Sequence, residues 1–383
     1  MMSRDGWADG FGDFEGRVWL NCAHQGALPA VAAAATREAV AWKMAPHQLT
    51  TERFTGVPQR LRQAIGRLIG APPEEISLAN SASYGLHLLA NGLPLESGDE
   101  VLLMAGDFPS NILPWLALAE RGVHVRQLKP AGTVLQPDEV AAALGPRTRV
   151  LCTSWVHSFS GHTLDIAAIG QLCREHGVWY LVNASQGLGA RPLAIGELAV
   201  DAMVSVGHKW QCGPYASGFC WMRPSLRESL RLNRCYWLSM QTADDLGRTD
   251  RELVPRTDLG ARRYDVFATA NFFNFTAWTA SLEYLLAQGI DAIRDHDQAL
   301  VDRLLAGLDG DRYRLISPAA GPARSTLVLL SHRRPERNRE LHGRLEQAGI
   351  DVALRNGCLR VAPHLYNRAE HIDRVLAVLD EAG

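Results

Sequence analysis

The chain has 383 residues, of which 47% are hydrophobic and 21% charged, a balance that excludes disordered, collagen-like and coiled-coil proteins and leaves a globular one of two or three folding units. Lys and Arg (39) nearly balance Asp and Glu (41), and no basic run exceeds Arg333-Arg334, so the expected ligand is a small molecule rather than nucleic acid or an anionic membrane. No stretch approaches the roughly 18 apolar residues of a membrane span, and Arg4, Asp5, Asp9, Asp13 and Glu15 stand where a secretory signal needs an apolar core, so a cytoplasmic location is expected.

From about residue 57 helical periods alternate with short β-rich runs bounded by turn residues, the pattern of an α/β fold with a mainly parallel sheet wrapped by helices. Apolar spacing predicts a helix over 57–69. A strand over 75–79 then runs into Asn80-Ser81-Ala82-Ser83 and a helix through 89. Further strands are predicted at 100–104, 124–128, 149–153, 179–182, 201–206 and 218–222, making seven, with helices at 112–121, 137–144 and 166–176. Residues 223–270, rich in Arg, Asp and Gly with weak periodicity, read as an excursion at a rim or subunit interface. An amphipathic helix follows over 272–288. Beyond it, helix, strand, strand, helix, strand, strand and a final helix over 291–381 describe a smaller α+β unit. The expected organisation is an N-terminal segment over the active site (1–30), a large domain (31–288) and a small C-terminal domain (289–383).

The most informative stretch is Val204-Ser205-Val206-Gly207-His208-Lys209-Trp210-Gln211-Cys212-Gly213-Pro214, a β run ending in a lysine among glycines. Ligand sites in α/β folds lie at such strand ends, and a lysine desolvated there becomes a nucleophilic amine able to form a Schiff base. Taken alone, a His-Lys pair is more often a surface turn. It gains company from Asn183-Ala184-Ser185-Gln186 at the end of the preceding strand, followed by Gly187 and Gly189. The seven cysteines contain no CxxC, which argues against a disulfide framework and a zinc site, so no metal is expected.

Together these motifs resemble the class V branch of fold type I pyridoxal-phosphate enzymes, which includes cysteine desulfurases, selenocysteine lyase, isopenicillin N epimerase-like proteins and an ergothioneine C–S lyase. Leu20-Asn21-Cys22-Ala23-His24-Gln25-Gly26-Ala27-Leu28-Pro29 is similar to the family's segment over the active site. Asp107-Phe108-Pro109-Ser110-Asn111 with Pro114-Trp115 is similar to its ring-stacking motif. Phe267-Ala268-Thr269-Ala270-Asn271 resembles the phosphate-binding segment lent by the partner subunit. The run from Leu359-Arg360 to Asn367 resembles the carboxylate-binding motif.

The resemblance implies that Lys209 carries pyridoxal 5'-phosphate and serves as general base and acid at the substrate's Cα. Ser81, Ala82 and Ser83, where a strand feeds a helix, present backbone N–H groups to the phosphate. Phe108 stacks on the ring, although an aromatic there, taken alone, is more often core. Gln186 donates to the phenolic oxygen, and His208 flanks the lysine. Thr269 reaches the neighbouring subunit's phosphate, which implies a homodimer with shared active sites. Arg360 matches both oxygens of a carboxylate, so an amino acid substrate is implied. Arg355 is a second candidate or a surface ion pair. His24 and Gln25, with His157 and Ser158, lie near the substrate; either histidine is an acid or base, or a structural hydrogen-bonding group.

Three departures from the family bear on activity. Asn183 replaces the aspartate beneath the pyridine nitrogen, which weakens the electron sink unless another group holds that nitrogen. Val206 replaces a phosphate-binding serine, and Ser205 points to the opposite face if the run is a strand. Only Asn356, Gly357, Cys358 and Leu359 separate Arg355 from Arg360, where desulfurases carry a mobile cysteine loop. The implied activity is β-elimination from a cysteine S-conjugate, in sulfur or secondary metabolism, similar to the ergothioneine lyase and to sulfur-conjugate enzymes of lincosamide antibiotic biosynthesis. Decarboxylating oxidative deamination, a class V aminotransferase or epimerase, and a cofactor-binding sensor or scaffold remain alternatives.

Overall fold

The structure, a computed structural model, describes residues 6–240, 250 and 252–381; residues 241–249 and 251 of the predicted excursion, and Arg4 and Asp5, lie outside the described residues. After a short strand β1 (Val18–Trp19) come β2 (Ile76–Ala79), β3 (Glu100–Met104), β4 (His124–Leu128), β5 (Thr148–Ser154), β6 (Trp179–Asn183), β7 (Ala202–Val206) and β8 (Gly218–Met222). The last seven form one sheet in the order β2-β8-β7-β6-β5-β3-β4. Only β8 runs against its neighbours, pairing antiparallel with both β2 and β7. β6 and β7 are buried almost throughout, as parallel strands covered on both faces must be.

Each predicted strand of this sheet is present, with ends shifted by a residue or so. The helices differ more. The helix expected over 57–69 begins at Thr51, with the Thr50 hydroxyl accepting from the Arg53 N–H, because Gly56 and Pro58 obscure its first turns in sequence. The stretch 112–121 is an α turn, Leu113–Leu116, continued as a 3-10 turn. An unforeseen helix, Ala30–Met44, packs on Phe272–Gln288 and fully buries only Ala32, Ala39 and Trp42. So small an apolar stripe leaves no period to read.

The smaller unit contains the helix Ile290–Gly307, β9 (Tyr313–Leu315), β10 (Val328–His332), the helix Asn338–Gln347, β11 (Ile350–Asp351), β12 (Ala353–Arg355), β13 (Cys358–Val361) and the helix Ala369–Glu381. That is the predicted order with one two-residue strand added. β9, β10, β12 and β13 form an antiparallel sheet, and β1 pairs parallel with β11, so the N-terminal segment is built into this unit. The excursion after β8 returns to the large sheet through Asp265, whose carboxylate accepts from Arg62 Nη2 and, at 2.9 Å, from the Leu78 N–H.

One buried pair ties the small unit to the loop after β7. His364 donates through Nδ1 to Asp297 (2.8 Å) and through Nε2 to the Trp210 carbonyl (3.0 Å). Burial pushes the imidazole pKa down, but the Asp297 carboxylate outweighs this and holds it at about 9. Because the folded value lies above the usual 6.5, this stabilisation is complete below that value and is lost as pH rises through about 9. Asp297→Asn is expected to cost about 3–5 kcal/mol. Its urea midpoint should also lack the alkaline decline of the parent protein. Equal midpoints for the two at neutral pH would contradict this.

Candidate active site

The carboxyl ends of the parallel strands are where an open α/β sheet leaves room for a ligand. Here the loops after β5, β6 and β7 open onto a cavity of about 360 Å3. Lys209 projects into it from the turn following β7. That turn is closed by hydrogen bonds from Gly213 N–H to the Gly207 carbonyl (2.8 Å) and from Cys212 N–H to the Lys209 carbonyl (2.9 Å). The N-terminal segment locks over it, since the Gly26 N–H donates to the His208 carbonyl at 2.8 Å. A Cβ at Gly26 would run into the Lys209 carbonyl oxygen, so only glycine allows this approach.

Twelve of the residues singled out in the sequence meet here. Ser81, Ala82, Ser83, Phe108, Asn183, Gln186, His208, Lys209, His24, Gln25, Ser158 and Arg360 all line the cavity, and so does Arg355. Thr269 does not; it follows Ala268, which has φ 59°, on a loop whose Phe267 is exposed while Thr269 itself is buried. His157 is also absent from the wall, with Nδ1 against the Ser160 hydroxyl (2.8 Å) and Nε2 against the Gly106 carbonyl (3.1 Å), a structural arrangement. Ser154, Val156, Phe159, Ser185 and Tyr215 line the cavity without having been singled out as site residues. The phenylalanines 108 and 159 stack with centroids 6.2 Å apart, an apolar pairing that nothing in the sequence signals.

The wall is electropositive. Burial, with Arg360 and Arg355 nearby, lowers the Lys209 amine from 10.5 to about 8 despite the opposing influence of Cys22. Burial and Arg355 bring Arg360 down to about 10, and it is only 3% exposed. Burial, Lys209 and His24 hold His208 at about 4, so its imidazole is neutral. Two polar atoms of this wall, His208 Nδ1 and Arg360 Nε, are buried without a partner. Gln186 is fixed in sense because the Trp210 indole only donates: Oε1 accepts from it at 2.9 Å, and Nε2 donates to the Ala23 carbonyl at 3.1 Å with one hydrogen to spare.

The Ser81 hydroxyl caps the helix Ala82–Gly92 by accepting from the Tyr84 N–H at 3.1 Å, leaving the first-turn N–H groups of Ala82 and Ser83 for an outside acceptor. β8 passes close enough that a Cβ at Gly218 would meet the Ser81 backbone. Val206 faces the cavity, whereas the Ser205 hydroxyl lies on the other face and accepts from Gln211 Nε2 at 2.9 Å. Ser83 and Ser110 hydroxyls, 3.0 Å apart, supply the polar surface that Val206 lacks. Among the described residues, no group of His, Cys, Asp and Glu is placed to hold a metal ion, and no helix is long and apolar enough to cross a membrane.

The sequence pattern of the "Aminotransferase class-V" family matches residues 27–375. A probable cysteine desulfurase of Methanothermobacter thermautotrophicus is 27% identical over 262 residues, covering 67% of this chain and 64% of that protein, a little under two thirds of its length. The isopenicillin N epimerase of Streptomyces clavuligerus is 27% identical over 334 residues, 83% of each chain. A solved complex of the cystine C–S lyase C-DES with its product cysteine persulfide shares the fold, with a TM-score of 0.85 at 23% identity over 95% of this chain and 98% of that one. The chain therefore belongs to the class V aminotransferase family, with a fold type I architecture.

Pyridoxal phosphate is the cofactor of this family. The residues present fit it: a buried amine of lowered pKa, an aromatic ring 5.5 Å from that amine at Phe108, first-turn N–H groups for a phosphate, and an unpartnered neutral imidazole. Acylation of Lys209 in the apoprotein, followed by mass spectrometry, should rise with pH around a midpoint of about 8 instead of 10.5. A midpoint at the ordinary lysine value would contradict the burial argument.

Proposed function

We propose that the protein is a pyridoxal-phosphate-dependent C–S lyase that eliminates the β-sulfur substituent from a cysteine S-conjugate. The observation that carries the reading is Arg360, a buried guanidinium whose Nε has no partner, on the same cavity wall as the Lys209 amine. A buried cation with an unused donor calls for an anionic ligand, and its planar fork suits a carboxylate. Its Nη2 donates to Asn21 Oδ1 at 3.4 Å, which orients the fork from behind.

Bound pyridoxal phosphate supplies a sink for the negative charge that develops at the substrate's Cα. Arg360 holds the carboxylate, with Arg355 adding charge at the mouth. Lys209, neutral for much of its population near pH 8, takes the Cα proton. The C–S bond breaks, the sulfur leaves with the bonding pair as a thiolate, and water converts the remaining three-carbon fragment to pyruvate and ammonia. Ala82 and Ser83 would hold the phosphate, Phe108 would cover the ring, and the spare N–H of Gln186 would serve the phenolic oxygen.

Two features separate this reading from cysteine desulfuration. Arg355 and Cys358 close a hairpin around Asn356 and Gly357, whose φ values of 48° and 72° make a tight turn. Cys358 is therefore a strand residue, and among the described residues no cysteine lines the cavity to receive sulfur from the substrate. The fold neighbour that acts as a cystine C–S lyase is consonant with direct β-elimination.

The decisive assay incubates the holoprotein with several cysteine S-conjugates, with and without oxygen, and follows thiol, pyruvate, carbon dioxide and peroxide. Thiol and pyruvate in equal amounts without an oxygen requirement are expected. Oxygen-dependent carbon dioxide release with the C–S bond intact would establish decarboxylating oxidative deamination instead, and an inverted Cα without thiol release an epimerase. Arg360→Ala should raise KM roughly 10- to 100-fold, while Cys358→Ala should leave turnover unchanged. Loss of activity on replacing Cys358 would restore the desulfurase reading.

We also propose a homodimer in which Thr269 reaches the phosphate of the partner. Tyr215 at the cavity wall is 69% exposed and Phe267, two residues before Thr269, 54%, which leaves apolar surface for a second copy to cover. Sedimentation should show a dimer, and Thr269→Ala should weaken pyridoxal phosphate binding about tenfold. A monomer that retains full cofactor affinity would overturn this.

A further inference from the structure

A hydrogen-bonded relay runs behind the cavity and ends on Asn183, and a single charge fixes its direction. The buried Asp107 carboxylate accepts four hydrogen bonds. Oδ1 receives the Phe108 N–H (2.7 Å) and the Ser154 hydroxyl (2.6 Å), and Oδ2 receives the Ser154 N–H (2.8 Å) and Asn111 Nδ2 (2.9 Å). A carboxylate only accepts, so Asn111 must turn its amide nitrogen toward it. The second hydrogen of that nitrogen goes to Ser154 Oγ at 2.8 Å.

Asn111 thus offers Asn183 only its oxygen, which accepts from Asn183 Nδ2 at 2.8 Å. With that end committed, Asn183 Oδ1 accepts from both the Ser185 N–H (3.0 Å) and the Ser185 hydroxyl (2.6 Å). Two lone pairs are all a carbonyl oxygen has. What Asn183 retains, on a residue that lines the cavity, is one N–H hydrogen.

We infer that Asp107, acting through Asn111, presents Asn183 to the cofactor as a hydrogen-bond donor, so that the pyridine nitrogen is held in its unprotonated, accepting form. The inference rests on the proposal that this cavity holds pyridoxal phosphate. A protonated nitrogen would set two donors against each other in a buried site, at the cost of leaving both unsatisfied. Asp107 and Asn111 are positioning residues. An unprotonated ring is a weaker sink, which favours expelling charge through a β substituent over storing it on the ring.

The test uses holoprotein reconstituted with pyridoxal phosphate labelled with nitrogen-15 at the ring nitrogen and read by NMR at neutral pH. A pyridine-type shift is expected in the parent protein, with Asn183→Asp supplying the pyridinium reference. Ser185→Ala frees one lone pair of Asn183 Oδ1, and Asn111→Leu releases the amide to turn; both should move the signal toward the pyridinium value. A pyridinium shift in the parent protein, with cofactor retained, overturns the inference and leaves the proposed cofactor site standing. An unchanged pyridine shift in both variants overturns the role given to the relay. Failure of the parent protein to retain the cofactor on dialysis overturns both.

Discussion

Everything at the candidate site depends on taking one lysine amine out of water and holding it there. A buried ammonium is costly, and the neighbouring guanidinium of Arg360 makes it costlier, so the proton leaves near pH 8. Such an amine would escape to solvent on a flexible loop. It stays because its turn is gripped from several sides: Gly26 on the His208 carbonyl, His364 on the Trp210 carbonyl, Gln186 on the Trp210 indole, and the Ser281 hydroxyl on the Cys212 carbonyl at 2.7 Å. The N-terminal segment, the large sheet, a long helix and the small unit each contribute one of these contacts, so the reactive turn is where the whole chain converges.

The elements legible in the sequence are those whose burial leaves a period. Strands covered on both faces become unbroken apolar runs, so β6, β7 and β8 stand out. The helix Ala30–Met44 hides because alanine buries a helix face without adding contrast. The site follows the same logic. Ser81, Gln186 and Lys209 are visible because each sits in a turn just past a strand, where chain order alone puts them at the sheet's carboxyl edge.

Phe159 and Tyr215 are lone residues in loops and acquire a role only when the loops converge. The sense of the Asn183 amide is less legible still. It depends on Asp107, Asn111, Ser154 and Ser185, drawn from three separate segments, and on which atom of each faces which. A substitution that is ambiguous as a letter in a sequence becomes directional once its partners are counted.

The imidazolium pair that joins the small unit to the lysine turn has a mechanical consequence. His364 and Asp297 belong to the small unit, while the carbonyl they hold belongs to Trp210, the residue after Lys209. Swinging the small unit away would keep that ion pair but break its hydrogen bond to the carbonyl, at about 1.5–3 kcal/mol, which confines the swung-out form to roughly one molecule in ten to one in a hundred and fifty. The cavity is thus largely preset before anything binds. Its selectivity then resides in the shape and charge that the held walls present to whatever enters.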